Sequence, residues 1–246
     1  MTVPVHLVPS LTDVGAGSLV VVSGDEAHHA VAVRRLRVGE PVALTDGAGT
    51  LATGVVESTG KRVFAVRVSD VSRTPRPEPE VVVVQALPKG DRGELAVEVL
   101  TEIGVARIVP WAASRSVAVW KGERAVKSLA RWRSTAREAG KQARRPWAVE
   151  VDELAQTRDL AALLSSADLA VVLHEAASVP IAGLDVAAMG RIVVVVGPEG
   201  GVADDELEAF TDAGAVAVRL GPEVLRTSTA GVAAVSALLS RTPRWA

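Results

Sequence analysis

Apolar positions along this chain fall into two regimes. Up to about residue 74 they come as short Val-rich runs, Leu19–Ser23, Pro41–Thr45, Leu51–Ser58 and Lys61–Val71, separated by Gly and Asp turns such as Asp46-Gly47. That pattern predicts a mostly β region. Between the first two runs, Asp25–Leu36 (DEAHHAVAVRRL) predicts a short helix. Beyond residue 80 the runs are continuous: Val81–Gln85, Arg107–Trp111, Leu169–Leu173, the run from Ile192, and Ala215–Leu220. Unbroken Val and Ile runs are expected of strands buried on both faces, as in a parallel sheet.

Helical spacing fills the intervals. Leu95, Val99 and Ile103, at i, i+4 and i+8, predict a helix ending at Gly104. Strand, helix and the next strand then form a unit that implies parallel pairing. Arg124–Arg145 predicts a long helix with Ala125, Leu129, Trp132, Ala136, Ala139 and Ala143 as its apolar stripe. Arg133, Arg137, Lys141 and Arg144 share another face. Like charges at that spacing repel by about 0.2–0.5 kcal/mol per pair. A basic face without interleaved acids therefore reads as phosphate-facing, against the plainer alternative of a solvated surface. Further helices are expected over Asp152–Leu164, after the acidic start Asp204–Glu208, and from a Thr227 or Ser228 cap to about Ser240.

Arg73–Glu80 (RTPRPEPE) is a proline-rich extended connector. It divides the chain into a β domain at 1–74, a linker at 75–80 and an α/β domain at 81–246.

Composition sharpens this. The chain has 246 residues and no cysteine, which removes disulfides, thiolate metal sites and a cysteine nucleophile. The N-terminus lacks a signal-peptide pattern and no run approaches membrane-helix length, so a cytoplasmic protein without membrane contact is expected. Only four histidines exist, and none gathers further ligands, so no metal is expected. The net charge of −2 conceals segregation: eleven Lys and Arg against two acids between Arg107 and Trp147, then fourteen acids against six basic residues. A basic block in a slightly acidic chain points to a local polyanion site.

Two strand ends carry the candidate chemistry. Ile192–Gly201 (IVVVVGPEGG) ends an apolar run in a glycine turn before an acidic helix start. Val218–Gly231 (VRLGPEVLRTSTAG) repeats the plan. One such Gly-Pro turn reads as plain turn punctuation, whereas two with matched contexts at one end of a parallel sheet favour a ligand site. Neither has the spacing of a phosphate loop or a dinucleotide fingerprint, so spacing alone leaves the ligand open.

These residues resemble the ribosomal RNA small-subunit methyltransferase E family of the SPOUT class. The resemblance implies an α/β fold: a C-terminal SPOUT α/β-knot domain, trefoil-knotted with a mostly parallel sheet, and a small N-terminal PUA-like β-barrel. It implies a homodimer that methylates uridine N3 in 16S ribosomal RNA with S-adenosyl-L-methionine, acting on free RNA or the assembled small subunit. The cofactor would be held by Leu173, His174 and Glu175, by Gly197, Pro198, Glu199 and Gly200, and by Leu220, Gly221, Leu225, Arg226, Thr227 and Ser228. RNA would meet His29, Arg34 and Arg35, then Lys89, Arg92 and Arg115, then Arg133, Arg137, Lys141, Gln142, Arg144 and Arg145. Here Arg34 stands where the family has Leu, and Lys141 where it has Glu. Glu199 is a candidate proton acceptor, and Arg226 a candidate stabiliser of charge on a uracil carbonyl. Alternatively the two pair and stiffen the loops. A related enzyme acting on another RNA position and a non-catalytic ribosome-assembly factor are the competing readings.

Overall fold

The computed structural model describes residues 3–186 and 188–245. The chain forms two compact units, Met1–Arg76 with Gly140–Ala148, and Pro77–Ala139 with Val149–Ala246. The second segment of the first unit lies inside the region expected to be purely α/β.

The first unit contains β1 (Val5–Leu7), β2 (Leu19–Ser23), α1 (Gly24–His28), β3 (Pro41–Thr45), β4 (Thr50–Gly60) and β5 (Val63–Arg73). Its sheet runs β1-β3-β4-β5-β2, with β1 parallel to β3 and the other pairs antiparallel. Inward residues such as Leu11, Val42, Leu44, Phe64 and Val66 form its core. The helix expected over 25–36 is split, because α1 widens into a π-helical turn at His29–Val33. The Leu36 N–H then reaches the Ala30 carbonyl at 3.0 Å, and Leu36 rather than Arg34 enters the core. β1, only three residues long, was not expected from the pattern.

Backbone bonds explain why Gly140–Ala148 joins this unit. Gly49 N–H donates to the Pro146 carbonyl at 2.8 Å, and Ala148 N–H to the Gly47 carbonyl at 2.9 Å. Trp147 Nε1–H donates to the carbonyls of Thr74 and Pro75 at 2.9 and 3.0 Å. Gly49 has φ +97°, and a Cβ there would stand 2.6 Å from the Trp147 ring, so only glycine fits.

The second unit contains β6 (Glu80–Ala86), α2 (Arg92–Glu102), β7 (Arg107–Trp111), α3 (Gly122–Gln142, whose last turn belongs to the first unit), β8 (Glu150–Val151), α4 (Ala161–Ser165), β9 (Leu169–Leu173), β10 (Val179–Pro180), β11 (Arg191–Val196), α5 (Asp204–Asp212), β12 (Val216–Arg219) and α6 (Thr227–Leu239). Its seven strands are all parallel in the order β10-β12-β9-β11-β6-β7-β8. Alternate residues of one strand enter different cores. Val81, Val83, Ile192 and Val194 pack with Val97, Trp132 and Leu238 of α2, α3 and α6. Val82, Val84, Val193 and Val195 pack with Leu164 and Phe210 of α4 and α5. Helices on both faces are why these strands are apolar throughout.

Three expectations are corrected. The helix over 152–164 is a 3₁₀ turn at Thr157–Asp159 followed by the short α4. α2 buries Gly93, Ala96, Val97 and Leu100 and leaves Leu95 44% exposed, a rotation away from the expected stripe. Its physical reason is the close approach at Gly93, where a Cβ would stand 2.8 Å from Trp132 Nε1. At α6, Arg226 is the N-cap, while Thr227 and Ser228 lie buried within the first turn.

Candidate functional site

β12, β9 and β11 are neighbours and parallel, so the loops after them emerge side by side at their C-terminal ends. They enclose a cavity of about 500 Å³. Leu173, His174 and Glu175 line it from β9, Gly197, Pro198, Glu199 and Gly200 from β11, and Leu220, Gly221, Leu225, Arg226 and Thr227 from β12. The residues proposed for a cofactor from sequence thus meet in one place. Ser228 does not: it is 3% exposed, turned into the protein behind the cavity wall. Gly201, Val202, Arg219, Pro222, Glu223 and Val224 also line the space. They sit within the two motifs, and adjacency was the available signal.

The loops are held by their backbones. His174 N–H donates to the Val218 carbonyl at 2.9 Å, and His174 Nδ1 accepts the Ala176 N–H at 3.3 Å. That ring nitrogen serves its own turn. The Arg226 carbonyl accepts the N–H groups of Thr229 and Ala230, both at 2.8 Å. Gln85, fully buried on β6, donates from Nε2 to the Thr227 carbonyl at 3.3 Å, while its Oε1 has no hydrogen-bond partner among the described residues. A Cβ at Gly197 would lie 2.8 Å from Val202 Cγ2, and one at Gly200 3.0 Å from Arg115 Cβ. Both glycines are required by contact, since neither has a positive φ.

Glu199 Oε1 accepts the Lys89 backbone N–H at 3.1 Å. Among the described residues no ion pair joins Glu199 to Arg226. Arg115, expected at RNA, lines this cavity and donates from its guanidinium to the Val202 carbonyl at 3.3 Å.

Glu206 was read only as part of an acidic helix start. It is 3% exposed. Its Oε1 accepts the Ser114 N–H at 2.8 Å and the Thr157 hydroxyl at 3.0 Å, and its Oε2 accepts the Ala203 N–H at 3.2 Å. Trp111 Nε1–H in turn donates to Thr157 Oγ1 at 3.1 Å.

The basic candidates divide. In the second unit Lys89 is exposed and Arg92 partly so, beside Gly90 at φ +67°. Arg133 is engaged: its Nε–H donates to the Val151 carbonyl at 3.0 Å and its guanidinium to Glu153 at 3.0 Å. Arg137 is exposed and bonds to Ser134 Oγ at 3.4 Å. In the first unit His29, Arg34, Arg35, Gln142 and Arg144 are exposed, and Arg145 is half-buried. Arg35 and Arg144 hold φ of 57° and 53°.

Lys141 is a correction to the phosphate-facing row. Its side chain is 10% exposed and pairs with Glu26 at 3.1 Å. Glu26 also meets His6 Nδ1 at 3.1 Å. Burial pushes the Glu26 carboxyl up, but the bonds from His6 and Lys141 and the Lys141 charge together hold it at about 2. A pairing with a carboxylate on another element explains why this lysine does not face solvent.

Among the described residues no group of three or more His, Asp or Glu could hold a metal ion. No helix among them is long and apolar enough to cross a membrane.

Two family models match the chain. Residues 75–239 match the RNA methyltransferase domain family, and residues 22–68 the RNA methyltransferase PUA domain family. The ribosomal RNA small subunit methyltransferase E of Mycobacterium tuberculosis is 46% identical, covering 100% of this chain and 94% of that protein. The Bacillus subtilis protein of the same name is 31% identical over 90% of each. A Legionella pneumophila protein solved with bound S-adenosylmethionine superposes with a TM-score of 0.89 at 27% identity, covering 98% and 99% of the two chains. The Neisseria gonorrhoeae ribosomal RNA small subunit methyltransferase E, also bound to S-adenosylmethionine, gives a TM-score of 0.86 at 26% identity, covering 97% and 98%.

Proposed function

The chain belongs to the ribosomal RNA small subunit methyltransferase E family, and on that premise we propose that it methylates N3 of a uridine in 16S ribosomal RNA with S-adenosylmethionine. The observation that carries this is the cavity at the ends of β9, β11 and β12, where two glycine loops leave room for a ligand. Its volume, about 500 Å³, lies in the range of small-molecule sites. The cradle at Gly197 and Gly200, which side chains would fill, suits close backbone approach to a cofactor.

S-adenosylmethionine, when bound, supplies a methyl group already activated on a sulfonium. Backbone groups of Gly197–Gly201 and Leu220–Thr227 hold it, and the RNA must bring its nucleophile within about 3–3.5 Å. Uridine N3 carries an imide proton. Glu199 accepts that proton, and Arg226 stabilises the negative charge that moves onto a ring carbonyl oxygen. The lack of an ion pair between the two supports separate roles over a mutual one. The RNA is held by Arg34, Arg35 and Arg144 of the first unit and by Lys89, Arg92, Arg115 and Arg137 of the second.

The same reading makes the protein a cytoplasmic homodimer acting on RNA or the assembled small subunit. Exposed Val224 and Leu225 at the cavity rim support cover from a second copy. A trefoil knot in the C-terminal loops is part of the same reading.

Calorimetric titration with S-adenosylmethionine tests the cofactor, and mapping the methyl on 16S RNA tests the position. Micromolar binding and a methyl on uridine N3 are expected. No binding to folded protein would overturn the enzyme reading, and a methyl on a ribose hydroxyl would overturn N3.

A further inference from the structure

We propose that Glu206 is a positioning residue that holds Arg115 in the cavity wall, where the Arg115 guanidinium meets a phosphate of the substrate RNA. This rests on the proposed function. A carboxylate that is 3% exposed is costly unless its oxygens are bonded. Capping α5 requires only the bond from Ala203. The bonds from Ser114 and Thr157 do not cap α5; they fasten the chain after β7 and the turn after β8 to the first turn of α5.

Arg115 follows Ser114 directly and is gripped from two more sides. Gly200 lies so close that a Cβ there would stand 3.0 Å from Arg115 Cβ and 3.1 Å from its carbonyl oxygen. The guanidinium donates to the Val202 carbonyl at 3.3 Å. One donor is thereby used, and a planar fork with further donors remains at an exposed position on the cavity wall. Among the described residues it forms no ion pair with a carboxylate. A fork of this kind matches two phosphate oxygens, and its exposure favours the incoming RNA over a ligand enclosed within the cavity.

The test is a double-mutant cycle on the full chain with Glu206→Gln, Arg115→Ala and both together. An amide in place of the carboxylate turns one acceptor into a donor, so Ser114 and Ala203 cannot both stay bonded. Each single variant is expected to lower kcat/KM for RNA by roughly 10–100-fold. The double variant should fall no more than about threefold below the worse single, because both remove one function. S-adenosylmethionine affinity of Arg115→Ala stays within about threefold of the parent by the same independence.

Losses that multiply, or an unchanged Glu206→Gln, would overturn the proposal. Weakened cofactor binding in Arg115→Ala would overturn the phosphate assignment. Amide hydrogen exchange of Glu206→Gln supplies a readout independent of methylation: Ser114 or Ala203 should exchange about tenfold faster while β6 and β11 amides hold. Unchanged exchange at both removes the tie. A parent protein that methylates no RNA removes the function, and the exchange result still decides whether Glu206 holds the Arg115 segment.

Discussion

The Glu199 carboxylate accepts the backbone N–H of Lys89 at 3.1 Å, which ties the loop after β11 to the loop after β6. A glutamine at this position keeps an acceptor for that N–H and loses the ability to take a proton. Glu199→Gln should therefore leave the S-adenosylmethionine Kd within a few-fold while lowering kcat by roughly 10²–10⁴. Single-turnover methylation at saturating cofactor measures this. An unchanged rate would remove Glu199 from the proton transfer and leave it a loop tie.

Gly197 is the cradle position with least room, since a Cβ there would lie 2.8 Å from Val202 Cγ2. Overpacking by a valine costs about 1–3 kcal/mol, which corresponds to a loss of roughly 10–100-fold in cofactor affinity. The Gly197→Val variant should retain its circular dichroism spectrum and bind S-adenosylmethionine correspondingly more weakly in calorimetry.

Gly49 holds the loop Pro146–Ala148 against the β3–β4 turn at φ +97°. Alanine there meets both a left-handed backbone penalty and the Trp147 ring. The two together should lower stability by about 3 kcal/mol, read as a shift of the urea midpoint.

Glu26 gives the first unit an acid limit. Its folded value of about 2 lies below the ordinary 4.5, so its contribution is fully present above 4.5. That contribution disappears as pH falls from there through about 2. The side chain is only 18% exposed, so the effect is little screened. It amounts to on the order of 3 kcal/mol. The stability difference between the parent and Glu26→Gln should be largest near neutrality and vanish toward pH 2. A constant difference would place the stabilisation elsewhere than in the His6–Glu26–Lys141 cluster.

Arg144 ends α3 at φ 53°, a conformation glycine adopts freely. Arg144→Gly should raise stability by up to about 1 kcal/mol. If Arg144 contacts a phosphate, the same change weakens RNA binding and reduces its salt slope by about one. A variant more stable yet equal in RNA affinity would separate the residue from the RNA.

What was legible in the chain is what short-range physics controls. β6, β9 and β11 stand out because burial on both faces leaves unbroken apolar runs in their interiors, and the cavity loops stand out because glycine turns follow β11 and β12. The face α2 buries is not local. It follows from the indole of Trp132 lying against Gly93, which no spacing within α2 encodes. Lys141 looked like one more cation in a row, and its partner Glu26 stands 115 positions away. Glu206 fitted the helix dipole so well that its bonds to Ser114 and Thr157 had no separate signal. Gly140–Ala148 reads as a helix end, and only backbone bonds to Gly47 and Gly49 assign it to the first unit.

β11 lies between β6 and β9, and Arg191 pairs with Glu80 from 111 positions earlier. During synthesis β6 therefore emerges with one flank open, and it stays so until β11 has followed it, 111 positions later. The loops that shape the cavity follow the last strands, and α6 closes it. A product of stalled or broken translation that stops before β11 can pair several strands and cover part of a core, yet it lacks two of the three loops that line the place for the methyl donor. The strand order makes the cavity a late product of synthesis, formed only once β11 and β12 have joined the sheet.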